Sequence, residues 1–181
     1  MVQIYYGNGK GKTTAAAGLA LRAAARNWQV LFVQFLKDGT SGEIQVLRSL
    51  PDVAVATQQG KYPFFSQMTE EQKRQAGEEY RQLLERGHTF LQEAEKADKG
   101  AGNVTGRLLV MDEVLHALRY GLIEEKEVLD LLSYSSPKVE IVLTGYDPSE
   151  EILAMADYIT EMRKVRHPFD CGLVSRRGIE E

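Results

Sequence analysis

Residues 2–14 read VQIYYGNGKGKTT, a short apolar and β-rich run that stops at a glycine-rich loop. The next residues, AAAGLALRAAAR (15–26), are mostly Ala and Leu, which are strong helix formers. A second apolar run, QVLFVQF (29–35), has the pattern of a strand buried on both faces. Strand, loop, helix and strand at this spacing predict a βαβ unit, and such units build parallel sheets.

The loop at residues 7–14 is suited to phosphate binding. Glycines let successive backbone N–H groups point into one concavity, and the following helix adds its positive end. Lys12 would bring a mobile positive charge to the phosphates, and the Thr13 hydroxyl would ligate Mg²⁺. The standard pattern is G-x-x-x-x-G-K-[ST]; here three residues separate Gly7 from Gly11, so the loop is one residue shorter. The alternative is a flexible turn with two solvated lysines, but the flanking strand and helix favour a phosphate loop.

Two acids, Asp112 and Glu113, follow the apolar run RLLVM (107–111). In P-loop enzymes an acid at the end of a core strand holds Mg²⁺ directly or through water. The alternative is that either acid stabilises the start of the helix predicted over residues 114–120 through its dipole. Beside a phosphate loop we favour the metal. The sequence carries no N-K-x-D or T-K-x-D motif for reading guanine, so we expect ATP rather than GTP.

The remaining patterns predict an α/β protein with a three-layer P-loop NTPase (RecA-like) fold, its mostly parallel sheet flanked by helices. Further strands are predicted over residues 52–57, 107–113 and 139–145, with a last one within 156–162. A capping box at Thr69 predicts a long helix running towards Lys96. We expect a loop after residues 37–43 and a helix capped by Asp147, with Pro148 at its first position.

The composition excludes several classes of protein. The chain has 181 residues and a formal net charge of −4, which argues against bulk binding to nucleic acid or an anionic membrane. The absence of an uncharged apolar run of ~20 residues predicts no membrane span. One cysteine, Cys171, rules out an internal disulfide, and the amino terminus has no secretory signal. We therefore expect one cytoplasmic domain over residues 1–181, with the Cys171 thiol in a structural role.

Taken together, GNGKGKTTAAAGLALRA, VQFLKDG, LVMDEVLHALRYGL, VLTG and ITEMRKVRHPFDCG…RRGIE closely resemble the P-loop corrinoid adenosyltransferases. The resemblance is weakest between about residues 40 and 100. That family transfers the 5′-deoxyadenosyl group of ATP to Co(I) of a corrinoid and releases triphosphate. The resemblance implies a cob(I)yrinic acid a,c-diamide or cob(I)alamin adenosyltransferase that uses ATP and Mg²⁺. It also implies reversed ATP, with its γ-phosphate deep in the loop, and a flavoprotein-type reductant that makes Co(I). We further expect a homodimer.

The resemblance also assigns site residues. The expected catalytic residues are Lys12, Thr13 and Glu113, and the expected metal ligands are Thr13, Asp112 and Glu113. The residues expected to bind the nucleotide or the corrinoid are Gly7, Asn8, Gly9, Lys10, Gly11, Lys12, Thr13, Thr14, Arg22, Tyr62, Phe64, Phe65 and His167. Tyr62, Phe64 and Phe65 would form the wall that moves the lower axial ligand off cobalt. Such an aromatic cluster is equally consistent with an ordinary hydrophobic core. For His167, a place at the site and a place away from it are equally expected.

Other residues are expected to serve structure, or depart from the family pattern. We expect His88 to be a solvated helix residue and His116 to pack within its helix. Tyr146 stands where the family pattern has an arginine, so that role is absent or supplied elsewhere. Some members carry an amino-terminal extension that helps to close the site; here the first strand begins almost at Met1, so we expect the tail or a partner subunit to close it.

Two other functions remain open from the sequence. One is a P-loop ATPase or kinase on another substrate, with Glu113 orienting water or a hydroxyl. The other is a carrier that binds a corrinoid or nucleotide without reaction. The products separate them, because adenosyl transfer releases triphosphate, hydrolysis or kinase activity gives ADP, and a carrier consumes no ATP.

Overall fold

The computed structural model describes residues 1–97, 105–172, 174 and 176–179. The strands are β1 Val2–Tyr6, β2 Trp28–Gln34, β3 Val53–Thr57, β4 Gly106–Asp112, β5 Val139–Gly145 and β6 Tyr158–Glu161. The helices are α1 Lys12–Ala24, α2 Gly42–Arg48, α3 Glu70–Ala97, α4 Val114–Arg119, α5 Glu125–Leu132 and α6 Glu150–Ala154. Short 3₁₀ turns lie at Phe65–Gln67 and Pro168–Cys171.

All six strands run parallel, in the order β3-β2-β4-β5-β1-β6. Every residue of β4 is buried, as expected for a central strand covered on both faces. One apolar cluster joins α1 and α2 to one face of the sheet, and a larger one joins α3, α4, α5 and α6 to the other. The predicted three-layer α/β fold is therefore confirmed.

Helix α3 begins as the sequence predicts. The Thr69 backbone N–H donates to Gln72 Oε1 at 2.9 Å, and the Gln72 N–H donates to Thr69 Oγ1 at 3.2 Å. This reciprocal pair satisfies two of the N–H groups that a helix start leaves free. Gly77 lets the helix pass close to the turn that follows α4, because a Cβ there would lie 2.9 Å from the carbonyl oxygen of Leu122.

Two local predictions are wrong. The segment after residue 41 is helix α2 rather than a loop, since Ile44 and Leu47 are buried against the sheet and tertiary packing decides the conformation. Helix α6 is capped by Ser149, whose hydroxyl accepts from the Ile152 N–H at 3.2 Å, and not by Asp147. Asp147 instead takes a left-handed turn conformation, with φ +57°. In the described part of the chain, no helix is both long and apolar enough to cross a membrane.

Candidate active site

The glycine-rich loop joins β1 to α1 at the carboxyl edge of the sheet, where ligands of open α/β sheets bind. Gly7 and Gly11 have φ values of +112° and +111°, in the region that favours glycine. The Gly7 N–H donates to the carbonyl of Gly145, at the end of β5, at 3.1 Å. The loop is thus pinned to the sheet at its first residue, and α1 begins at Lys12.

The Lys12 side chain folds back over this loop. Its ammonium donates to the carbonyl oxygens of Gly7 at 2.8 Å and Gly9 at 2.9 Å. Burial lowers the pKa of Lys12, although the carboxylates of Glu113 and Asp112 act in the opposite direction. The charge therefore lies within a pocket, over the backbone groups that would surround a phosphate.

Asp112 is the fixed point of the site and is fully buried. Its Oδ1 accepts from the hydroxyls of Thr13 at 2.9 Å and Thr144 at 2.7 Å. Its Oδ2 accepts from Gln34 Nε2 at 3.0 Å. The partners come from α1, β5 and β2, so one carboxylate ties together the elements around the end of β4.

Glu113 leaves the strand in a left-handed conformation, with φ +64°, and its N–H donates to Thr144 Oγ1 at 2.9 Å. Its carboxylate contacts His116 Nδ1 and lies 3.8 Å from Lys37 Nζ. Burial raises the pKa of Glu113, but the bond with His116 and the charges of Lys37 and Lys12 outweigh it and hold the pKa below its usual range. His116, expected to pack only within its helix, is therefore a partner of this carboxylate.

Lys37, just beyond β2, directs its ammonium into the same cluster. The Nζ atom lies 3.2 Å from Asp112 Oδ2 and 3.2 Å from Thr13 Oγ1. Oxygen atoms of Thr13, Asp112 and Glu113 therefore already surround one cation, the Lys37 ammonium. Hydroxyl and carboxylate oxygens are the ligands Mg²⁺ prefers, and Mg²⁺ commonly takes only one or two carboxylates beside substrate phosphates. The residues at this position fit a divalent cation.

A cavity of about 580 Å³ opens beside these groups. Its walls include the loop, the first turns of α1, Lys37, Glu113 and the tail residues Gly178 and Ile179. Three cations, Lys10, Lys12 and Lys37, line it together with two acids, Glu43 and Glu113, so positive charge is in excess. Such a balance favours an anionic ligand.

The carboxyl-terminal tail packs on the loop. The Gly9 N–H donates to the Met162 carbonyl at 2.6 Å, and the Lys164 N–H donates to Asn8 Oδ1 at 2.8 Å. Farther along, Lys10 Nζ donates to the Ile179 carbonyl at 3.1 Å. His167 lies half-buried in this tail, beyond the Asn8 contact, so its segment belongs to the surroundings of the loop.

The aromatic segment is connected to Glu113 through Tyr120 and His116. Phe65 stacks on Tyr120, just after α4, and the Tyr120 ring lies 6.2 Å from that of His116. Tyr62 donates its hydroxyl to Glu79 at 2.8 Å, while Phe64 is 82% exposed. Phe64 is thus not core, and a row of rings leads from Phe65 towards the candidate metal site.

Several expected residues lie elsewhere. Arg22 is in the last turn of α1, about 15 Å along the helix from Lys12, and lines a separate cavity of about 700 Å³. The structure does not bring it to the loop. His88, expected to be solvated, is half-buried and packs edge-on against Tyr134. At Tyr146, where the family pattern has an arginine, the guanidinium of Arg119 lies 4.9 Å above the ring.

The sequence reasoning missed Gln34, Lys37 and Thr144 as members of the site. Lys37 and Gln34 lie in VQFLKDG, a segment that carried the resemblance but received no role. The feature that could have identified all three residues is their position in the sequence. Each lies at the carboxyl end of a strand that borders β4, or just after that end.

The chain is similar to known proteins over nearly its whole length. A family model described as ATP:corrinoid adenosyltransferase BtuR/CobO/CobP matches residues 1–180. The corrinoid adenosyltransferase of a Sinorhizobium species is 29% identical over 99% of this chain and 79% of its own length. The corrinoid adenosyltransferase CobA of Salmonella typhimurium is 28% identical over 99% of this chain and 85% of its own length. The corrinoid adenosyltransferase of Pseudomonas aeruginosa is 29% identical over 98% of this chain and 81% of its own length.

Solved structures share the fold alone. The ATPases 2 and 3 of EssC from Geobacillus thermodenitrificans superpose with a TM-score of 0.54 at 11% identity, over 98% of this chain and 34% of theirs. The cytoplasmic domain of EssC gives 0.52 at 12% identity, over 97% and 35%. This chain thus spans about a third of the length of those chains.

Proposed function

The chain belongs to the ATP:corrinoid adenosyltransferase family, and we propose that residues 1–181 act as one domain that adenosylates cobalamin or a precursor such as cobyrinic acid a,c-diamide. The observation that carries the assignment of the site is the cluster of Lys12, Thr13, Asp112 and Glu113 beside a cavity of about 580 Å³. The cluster would cradle phosphate and hold a cation, and the aromatic segment is connected to it through Tyr120 and His116.

The reaction needs a good leaving group more than a base. The electron pair of Co(I) forms the Co–C5′ bond while the C5′–O5′ bond breaks and its electrons leave with triphosphate. Because the nucleophile carries no proton, no side chain has to remove one. The protein's part is to hold C5′ in line with cobalt and to stabilise the departing charge.

Lys12 and the backbone N–H groups of the loop would supply that stabilisation. The Lys12 ammonium already lies over the loop, bonded to the carbonyl oxygens of Gly7 and Gly9. A triphosphate oxygen would replace these weak acceptors and gain a charge-assisted bond. Lys10 and Asn8, which contact the tail, would close the nucleotide in from the opposite side.

Thr13 and Glu113, with Asp112 behind them, would hold Mg²⁺, which supplies charge neutralisation to the triphosphate when bound. The buried Asp112 carboxylate orients the Thr13 hydroxyl through a 2.9 Å hydrogen bond. Gln34 and Thr144 fix that carboxylate in turn. The arrangement supports an outer role for Asp112 and a direct one for Thr13 and Glu113.

The aromatic segment is our candidate for the corrinoid side. Tyr62, Phe64 and Phe65 would form an apolar wall that keeps the lower ligand off cobalt and so eases reduction of Co(II). The 82% exposure of Phe64 supports this role, because a large apolar ring left in water commonly marks a binding surface. A flavoprotein-type reductant would deliver the electron, and we expect the enzyme to act as a homodimer.

An anaerobic assay tests the proposal. Purified protein, Mg-ATP and chemically reduced cob(I)alamin are combined, and the visible spectrum is followed while triphosphate is assayed. We expect a photolabile organocobalt product and triphosphate in equal amounts. ADP and phosphate without that product would indicate an ATPase or kinase instead, and bound but unconsumed ATP would indicate a carrier. Repeating the assay with reduced precursor corrinoid identifies the preferred acceptor.

A further inference from the structure

Lys37 makes contacts that a metal ion would make. Its ammonium lies 3.2 Å from Thr13 Oγ1, 3.2 Å from Asp112 Oδ2 and 3.8 Å from Glu113 Oε1. Thr13 and Glu113 are the side chains that the proposed function assigns to the divalent cation, and Asp112 is the carboxylate behind them. Because Asp112 is fully buried, its charge requires a positive partner close by, and Lys37 supplies it.

The backbone before Lys37 is bent to place it there. Leu36 has φ +60°, a left-handed conformation that is costly for a residue with a Cβ. Such a conformation persists where surrounding contacts hold it, and it concentrates at functional sites. A relaxed backbone at Leu36 would carry the next side chain in another direction, so the bend serves the position of Lys37.

Two contacts hold the bend. The Phe35 N–H donates to the carbonyl of Asp112 at 2.9 Å, and the Leu36 N–H donates to the hydroxyl of Tyr80 at 3.1 Å. Tyr80 is fully buried in α3 and packs edge-on against Phe35, with ring centroids 5.4 Å apart. Its hydroxyl donates in turn to Gln58 at 2.8 Å, which fixes it. Buried residues of the core therefore hold the bend before Lys37 in place.

We propose that Lys37 is a resident cation that occupies the metal position in the free enzyme and that a divalent cation must displace when it enters with the nucleotide. The inference rests on the proposed function only for placing the metal at Thr13 and Glu113, in front of Asp112. Two positive charges within a few ångströms of each other repel, so the ammonium and the metal exclude one another there. Lys37 is thus a positioning residue that keeps the site paired until Mg-ATP arrives.

Displacement has a short path. Lys37 has 38% of its side chain exposed and lines the cavity assigned to ATP. The four-carbon side chain of lysine is flexible, so the ammonium can move from the carboxylates to a phosphate oxygen while the backbone stays in place. With metal absent, the resident ammonium would itself offset part of the charge of the triphosphate.

The test is metal and nucleotide binding to the free protein, with Lys37→Met, which keeps the stem and removes the charge. Mn²⁺ binding without nucleotide is followed by the loss of its EPR signal, and ATP binding in EDTA is followed by equilibrium dialysis. We expect Lys37→Met to bind Mn²⁺ roughly tenfold or more tightly than wild type, and metal-free ATP more weakly by a similar factor. Lys126→Met, which removes one charge from the exposed face of α5, should change neither affinity.

The two affinities must move in opposite directions, which a merely loosened site would not produce. Equal Mn²⁺ affinity in Lys37→Met and Lys126→Met, or a fall in both affinities of Lys37→Met, would overturn the proposal. The gained Mn²⁺ affinity must also vanish in Lys37→Met with Glu113→Gln; a gain that survives lies elsewhere and counts against it. If Lys37→Met does not fold, Lys37→Gln is measured in the same way. Adenosyl transfer by wild type is a separate result, so failure of the proposed function is distinguished from failure here.

Discussion

Phe65 lies face to face with Tyr120, with ring centroids 4.2 Å apart and planes 4° from parallel. The contact joins the aromatic segment before α3 to the end of α4, the helix that starts next to Glu113. The Lys73 ammonium lies over the face of the Phe65 ring, 5.1 Å from its centroid, so this pair also contacts a cation. The proposed corrinoid wall is thus attached to the element that carries the proposed metal ligand.

Phe65→Ala should lower turnover that starts from Co(II) with a reductase by tenfold or more, and affect turnover from pre-reduced Co(I) much less. The reason is that the ring would act on the lower cobalt ligand before reduction and not on the transfer step. Steady-state assays from both oxidation states measure the ratio. Phe90→Ala is a matched control, since Arg107 lies 5.0 Å over that ring on α3. Equal losses from both states would remove the aromatic wall from the mechanism.

Lys12→Ala should abolish triphosphate release, with a loss of roughly 10²–10³-fold or more, because it removes a preorganised cation from the leaving group. ATP binding should weaken as well. Triphosphate is quantified after reaction with chemically reduced corrinoid, and circular dichroism checks that the loop's loss of two hydrogen bonds leaves the fold intact. Full activity in this variant would refute the assignment of the phosphate loop.

Gly9→Ala should destabilise the fold by about 1–3 kcal/mol and weaken ATP binding. A Cβ at Gly9 would lie 2.6 Å from the Met162 carbonyl oxygen and 2.9 Å from the Arg163 carbonyl carbon, so the tail or the loop must move. Gly18→Ala is the control, because a Cβ there meets no heavy atom within 4 Å. In the interior of α1 it should stabilise by about 0.5–1 kcal/mol. Chemical denaturation should show a lower free energy of unfolding for Gly9→Ala and a higher one for Gly18→Ala than for wild type.

The hydroxyl of Tyr62 should lose its proton at a higher pH than an ordinary tyrosine does. Burial raises the pKa of Tyr62 from its ordinary value of 10.0 to about 12, aided by the hydrogen bond and the charge of Glu79. A raised pKa favours the neutral phenol, so its contribution to stability is full below pH 10 and disappears as the pH rises towards 12. Absorbance at 295 nm after a pH jump, wild type minus Tyr62→Phe, should show the step.

The same titration in Glu79→Gln should move that step towards pH 10, since the negative charge is gone and an amide oxygen accepts the phenol proton more weakly than a carboxylate does. Glu79 also accepts from the N–H groups of Gln59 at 2.8 Å and Gly60 at 3.1 Å, so this variant should loosen the aromatic segment. Glu85→Gln, an exposed acid farther along α3, should leave the step where it is. A step near pH 10 in wild type would contradict the half-buried hydrogen bond between Tyr62 and Glu79.

The sequence predicted those parts of the fold that depend on local pattern. Strands β1 and β5 have the predicted bounds, and the capping box at Thr69 starts α3. Helix α2 was missed because its seven residues are held by contacts of Ile44 and Leu47 with the sheet rather than by a cap hydrogen bond. A short helix stabilised by tertiary packing leaves a weak local signal.

The candidate site was predicted where one motif contains it and missed where the strand order creates it. Lys12, Thr13 and the loop lie in one continuous stretch. Lys37 and Thr144 meet Asp112 because β2 and β5 flank β4, an order that the periodicity of the sequence does not reveal. Arg22 illustrates the converse, since a helix carries it away from the loop although it is close in sequence.

The contact between the loop and the tail bears on how the chain matures as it is made. Strand β1 lies between β5 and β6, and the Asn8 side chain accepts from a residue 156 positions later. Synthesis proceeds at ~5–20 residues per second, so β1 waits on the order of ten seconds for its first neighbour in the sheet. A nascent chain that has left the ribosome only as far as β4 carries the whole phosphate-loop motif, but it has neither strand that flanks β1. We therefore expect nucleotide binding only in chains that already contain β5 and β6, and termination products that end before β5 should bind no ATP.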